Sequence, residues 1–322
     1  MKIRSWLSSV VLALALVGAG SSFASAQSTD VTLKVAVLPI VDIAPLYLGM
    51  EKGFFRDEHL TIVPQNAQGG GAVAADVISG DAQVGYSNVV SMILAAAHGL
   101  PLQAVTNGSE SITDSRHQNG LLMVAAGGPI RTLHDFEGKT LGLNALNTMT
   151  EIMIKEVLER HGVDVATIKF VEVPNAELAS ALKAGRIDLA METEPFLTAG
   201  KTEDARPMLE PTHEYAKKVT LGTYFTTRQY ALDHPDIVAR FKRAMLKSLV
   251  YTAANPAEAR RIVPTYTKID AAVAAKMALV GWSTEIDMPS IIALQKSMIK
   301  YGLLTNEVDL KALFPAAAIT GR

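Results

Sequence analysis

Short unbroken apolar runs alternate with stretches of helical spacing along most of this chain. Val35–Leu38, Leu60–Val63, Ala82–Tyr86, Leu102–Thr106, Leu121–Ala126, Thr140–Leu143, Ile168–Val173 and Ile187–Met191 read as strands of a largely buried sheet. The segments between them carry helix punctuation. Pro45 falls in the first turn of a helix that Asp42 is placed to cap and Gly53 to end. Gly69-Gly70-Gly71 opens Ala72–Ser79, which Gly80 closes, and Val89–Ala97 is a third helix. Thr148 and Glu151 have capping-box spacing at the head of Met149–His161, which Gly162 ends. Asn175 is placed to cap Ala176–Ala184, ended by Gly185. Asn107–Asn119 is polar and aperiodic and reads as a loop or crossing segment. After a strand-like Thr220–Thr226 the pattern turns helical: His234–Ala254, Ala257–Pro264, Ala271–Val280 and Pro289–Tyr301.

The pattern repeats itself. Strand 35–38 matches 140–143, strand 60–63 matches 168–173, and 82–86 matches 187–191, at offsets of about 104 to 109 residues. Gly53 and Gly80 match Gly162 and Gly185. Most directly, ADVISGDAQVGYSN (75–88) parallels SALKAGRIDLAMET (180–193). The echo predicts two similar doubly wound α/β units, and two such lobes facing each other would enclose one cleft.

The first residues stand outside this pattern. Lys2 and Arg4 precede the short apolar run Val10–Val17, and Ala24-Ser25-Ala26 is a small-residue cleavage site. Residues 1–26 therefore read as a secretory signal peptide cut after Ala26. The formal net charge of −2 and the lack of a basic run argue against a nucleic-acid partner. With no cysteine, thiol nucleophiles, thiolate metal sites and a lipid-modified cysteine are all excluded. The expected location is a periplasm, as a free monomer.

Ligands of open α/β sheets bind beyond the carboxyl ends of strands. By that rule the candidate ligand-binding residues are Asp42, Tyr47, Gly70, Ser87 and Asn88 in the first lobe. In the second they are Asn144, Asn147, Thr148, Glu192 and Glu194. The strand-end loops hold carboxylates and neighbouring aromatics but no Lys or Arg, which suits a neutral heteroaromatic or amine-bearing solute better than a bare anion. Catalytic signatures do not assemble. Gly85-Tyr86-Ser87 begins like a nucleophile elbow, but position 89 is Val where the second glycine belongs. The histidines show no metal spacing, and Gly69–Gly71 lacks the Lys-Ser/Thr of a nucleotide loop. No catalytic residue, metal or cofactor is expected.

Five stretches resemble the periplasmic solute-binding proteins of ABC importers, in the NMT1/THI5-like and SsuA-like branch for nitrate, sulfonates, taurine and thiamine-pyrimidine precursors. They are APLYLGMEKGFFRDEHLTIV (44–63), ISGDAQVGYSN (78–88), DFEGKTLGLN (135–144), LKAGRIDLAMETEPF (182–196) and HPDIVARFKRAMLKSLVYTAANPAEA (234–259). The resemblance implies a type II periplasmic binding fold of two α/β lobes joined by two chain crossings, with 27–118 and 228–322 as lobe one and 119–227 as lobe two. It implies capture of a small heteroaromatic, amine-bearing or sulfonate-like solute and delivery to an inner-membrane permease. The tryptophan that sulfonate binders often carry near Glu192 is missing here. The rival readings are a periplasmic enzyme or a sensor module acting on a similar molecule.

Overall fold

The computed structural model describes residues 29–111, 120–199 and 204–320. The expected signal peptide and cleavage site lie outside the described residues, as does the lobe boundary expected at 118.

Among the described residues, ten strands build two five-stranded sheets. In chain order they are β1 Val31–Val37, β2 Leu60–Asn66, β3 Val84–Asn88 and β4 Leu102–Glu110, then β5 Gly120–Ala125, β6 Thr140–Leu143, β7 Lys169–Glu172, β8 Leu189–Thr193 and β9 Ala205–Leu209, and finally β10 Thr220–Thr227. The sheets have the orders β2-β1-β3-β10-β4 and β7-β6-β8-β5-β9. Five helices fill the crossovers: α1 Ala44–Glu51, α2 Gly70–Ser79, α3 Val89–Ala97, α4 Met149–Arg160 and α5 Asn175–Lys183.

The repeat seen in the sequence is a repeat of topology and register. β1 is flanked by parallel β2 and β3, with Ala36 opposite Gln65 on one side and Gly85 on the other. β6 is flanked in the same way by β7 and β8, with Gly142 opposite Val171 and Ala190. The paired 14-residue segments fall on α2–β3 and α5–β8. Gly80 and Gly185 end the two helices at φ 83° and 66°, a region that costs a glycine little. Each sheet then takes one antiparallel strand between its third parallel strand and its edge: β10 in the first, β5 in the second.

Three expectations are corrected. The boundary expected at 227/228 would leave Thr220–Thr227 in lobe two. Instead β10 sits inside the first sheet, with Tyr224 opposite Tyr86 and Thr106, so the chain has returned before Thr220. Local composition marks a strand but not the sheet that accepts it. The polar segment from Asn107 to Glu110 is not loop but the end of β4, and Asn107 and Ser109 are buried beside β10. Ladder bonding satisfies the backbone there, so polar side chains do not exclude a strand. Of Ala271–Val280 only Ala271–Ala274 is helical. The chain then makes a turn and continues without regular structure, burying Met277, Leu279 and Val280 against the first sheet's apolar cluster.

The helical tail ties the halves together. The long helix Pro235–Ala254 packs on α1, with Phe241 against Phe55 at a ring separation of 5.7 Å. Helix Met288–Lys300 shares an apolar cluster with both α3 and α4 through Ile291, Leu294 and Met298. Its last residue, Lys300, pairs with Glu156 and Glu159 of α4 at 3.1 and 2.6 Å. No helix among the described residues is long and apolar enough to cross a membrane.

Candidate functional site

The carboxyl ends of the parallel strands in both sheets open on one cleft of about 1460 Å³. The turn after β1 supplies Leu38 to Asp42, the end of β2 supplies Asn66, and β3 supplies Tyr86 and Asn88. From the second sheet come Asn144, Thr148, Asn175, Met191 and Glu194. A third group, Tyr266 to Asp270 with Leu279 and Val280, comes from the helical tail. The volume exceeds the roughly 300–1,000 Å³ of ordinary ligand pockets and leaves ample room for a small organic molecule.

Six of the ten sequence-derived candidates line this cleft: Asp42, Tyr47, Asn88, Asn144, Thr148 and Glu194. Gly70, Ser87, Asn147 and Glu192 do not. Ser87 is buried beneath the start of α2, and its Oγ has no hydrogen-bond partner. A Cβ on Gly70 would lie 2.4 Å from that oxygen and 2.7 Å from Ser91 Oγ, so only glycine fits there. Asn147 takes a left-handed φ of 57°, and its N–H donates to Glu151 Oε2 at 2.6 Å. The capping pair is thus shifted by one: Thr148 Oγ1 accepts from the Glu151 N–H at 3.4 Å, but the Glu151 carboxylate reaches back to Asn147. Glu192 pairs across the ladder with Leu121 and alternates with Met191, which faces the cleft. Burial pushes the Glu192 carboxyl above the usual range.

Asp42 is not the helix cap its position suggested. It lies in a single 3-10 turn, Val41–Ile43, and α1 begins without a side-chain cap. Its Oδ1 instead accepts from the Tyr86 hydroxyl at 2.9 Å and from Ser109 Oγ at 2.8 Å, and these two hydroxyls are 2.7 Å apart. The Trp282 indole N–H donates to the Asp42 carbonyl at 3.0 Å. Burial raises the Asp42 carboxyl above its ordinary value, and the two hydroxyl bonds pull partly the other way. Burial pushes Tyr86, Tyr224 and Tyr266 well above the ordinary phenol value, and the neighbouring Asp42 carboxylate adds to the rise.

Glu194 is committed as well. Its carboxylate accepts from Thr198 Oγ1 at 2.7 Å, from the Thr198 N–H at 3.1 Å and from the Ala278 N–H at 3.1 Å. Asn88 Oδ1 caps α3, accepting from the Ser91 N–H at 2.9 Å, while the side chain still lines the cleft. Asn175 does not cap α5. It is the first helical residue there, and its Oδ1 is buried without a partner.

Sequence reasoning missed Tyr266. Its ring stacks on Tyr47 at a centroid distance of 4.0 Å and an interplanar angle of 7°, and its hydroxyl donates to the Ile40 carbonyl at 3.2 Å. It sits just past a helix end near residue 265, far in sequence from any strand end, and no local pattern marks it. No group of three or more His, Asp or Glu among the described residues could hold a metal ion.

The family model described as "NMT1/THI5 like" matches residues 40–259. Among curated proteins, the chain is similar to the nitrate import ATP-binding protein NrtC of Synechocystis, at 28% identity over 200 residues. That match covers 56% of this chain and 29% of the relative. It is also similar to the riboflavin-binding protein RibY of Chloroflexus aurantiacus, at 24% identity over 250 residues, 73% of this chain and 66% of the relative. The chain thus spans less than two thirds of the length of either. The periplasmic aliphatic sulphonate binding protein SsuA from Escherichia coli shares the fold, with a TM-score of 0.73 at 15% identity, covering 92% of this chain and 95% of that one.

Proposed function

Because the chain belongs to the NMT1/THI5-like family, we propose that it is the exported solute-binding component of an ABC importer. It captures a small organic solute between its lobes and presents it to an inner-membrane permease. The observation that carries this reading is the single cleft walled by the strand ends of two sheets with the same topology. A solute there touches both walls at once. It binds the closed arrangement better than an open one and shifts the population towards closure.

The protein works as a monomer in the periplasm, delivered there by residues 1–26. Asp42, Tyr47, Asn88, Asn144 and Thr148 contact the solute directly, while Gly70, Ser87, Asn147 and Glu192 shape the walls from behind. The solute is heteroaromatic, amine-bearing or sulfonate-like. No chemical step is assigned to this chain: the solute leaves as it arrived.

Thermal melts against a panel of amines, heteroaromatics, sulfonates, carboxylates and nitrate test the reading. A true solute at a hundred times its dissociation constant adds about 2.7 kcal/mol to stability. Recovery of that solute unchanged after long incubation excludes the enzyme alternative. No shift with any class, and no small molecule released from protein purified from its native source, would overturn the proposal.

A further inference from the structure

We propose that the solute is a planar organic cation, with Asp42 as its counter-ion and the Tyr47–Tyr266 pair as its stacking face. This rests on the reading of the cleft as a solute site and names the chemistry it selects.

Asp42 is a carboxylate held ready without a cation. Both side-chain donors that reach it fall on the same oxygen, Oδ1, and both are neutral hydroxyls. Among the described residues no Lys, Arg or His forms an ion pair with it, yet the residue opens onto the cleft. A buried charge is normally paired, and here the missing partner is left to the solute.

The rest of the lining has the same sign. Asp42, Glu110, Glu194, Glu210 and Asp270 stand against Lys268, which is exposed. Of these carboxylates Glu110 is neutralised by Lys218 at 3.2 Å, and Glu194 is spent on its three donors. Helix starts are the usual anion sites; Asn88 fills that of α3 and the Glu151 carboxylate reaches back over that of α4, while that of α2 has no side-chain cap and no basic side chain in its first turn. The far wall adds an acceptor: Asn175 lines the cleft with a buried, unpartnered Oδ1.

Planarity follows from the tyrosines. Tyr47 and Tyr266 lie parallel, and both line the cleft, so a flat ligand continues their stack. The electron-rich faces favour a cation over an anion of the same shape. The Tyr266 hydroxyl donates to the carbonyl of Ile40, two residues before Asp42, so stacking face and counter-ion share one neighbourhood.

The test uses ligand-observed NMR on the mature protein with four probes at millimolar concentration. Benzamidine is planar and cationic, benzamide planar and neutral, benzenesulfonate planar and anionic, and cyclohexylamine cationic but not planar. The expected result is that benzamidine binds at least about tenfold more tightly than the other three. Asp42→Asn, shown folded by its melting curve, removes the preference for benzamidine over benzamide. Tyr266→Ala weakens benzamidine while leaving cyclohexylamine as it was. The inference is overturned if benzenesulfonate or benzamide matches benzamidine, if cyclohexylamine matches it, if Asp42→Asn leaves its binding unchanged, or if benzamidine does not bind. Binding of benzenesulfonate alone sinks the cation and leaves solute capture standing. Failure of all four probes, with nothing released from native protein, sinks both.

Discussion

Glu194, at the end of a second-sheet strand, accepts a hydrogen bond at 3.1 Å from the backbone N–H of Ala278, whose neighbours Met277 and Leu279 are buried in the first lobe. The bond crosses from one lobe to the other. Glu194 thus braces one half against the other while still lining the cleft.

Glu194→Ala removes the acceptor for Thr198 and Ala278 together. The loss is expected to lie near 1.5–3 kcal/mol, the range for hydrogen bonds to a charged group. Glu194→Gln keeps a carbonyl acceptor and should lose less. Urea unfolding gives the stability change, and amide exchange at Ala278 should accelerate in Glu194→Ala before global unfolding does.

The raised carboxyl of Asp42 makes a pH prediction with a definite sign. The folded protein holds this proton more tightly than the unfolded chain, whose Asp has the ordinary value of 3.8. In the window between that value and the raised one, the folded state therefore binds more protons, and stability falls as pH rises. Asp42→Asn keeps an acceptor for Tyr86 and Ser109 but removes the ionisation. Without solute, the variant should be more stable than the parent at neutral pH, with a flatter profile through the window. Urea midpoints measured across mildly acidic to neutral pH check this.

Gly70 and Ser87 should be energetically coupled. Gly70→Ala places a methyl 2.4 Å from Ser87 Oγ and is expected to cost about 1–3 kcal/mol as overpacking. Ser87→Ala removes an unpartnered buried oxygen and should be close to neutral. The double variant should recover part of the Gly70→Ala loss. A double-mutant cycle by urea unfolding reads the coupling directly.

Trp282 reports on the site. It bonds to the Asp42 carbonyl, and the chain's other tryptophan, Trp6, falls within the expected signal peptide. A solute that settles on Asp42 should shift or quench the emission of the mature protein. The titration midpoint should match that from calorimetry, and Asp42→Asn should weaken both in parallel.

Much of the architecture could be read from local signals. β6 and α3 have the expected bounds, Thr140–Leu143 and Val89–Ala97, because each is a clean apolar run between strong breakers. The echo of α2–β3 in α5–β8 was legible because the same glycine-ended helix feeds the same short strand. Ala271–Val280 was not, because an apolar run carries no mark of where its helix stops and irregular chain packs on against a neighbour. Asp42 reads locally as a helix cap, but its side-chain partners are Tyr86 and Ser109. A cap three residues away leaves a trace in spacing, whereas Tyr86 and Ser109 lie 44 and 67 positions off.

The amino-acid order alone determined the two-lobed duplication, the strand ends that face the cleft and most helix boundaries. All of these depend on periodicity, capping and glycine punctuation within a few residues. Only the tertiary structure decided which sheet takes the strand at Thr220–Thr227, that Tyr266 stacks on Tyr47, and that Glu194 bonds across to Ala278. Those outcomes depend on contacts between segments brought together by burial, and burial leaves no signature in the spacing of either partner.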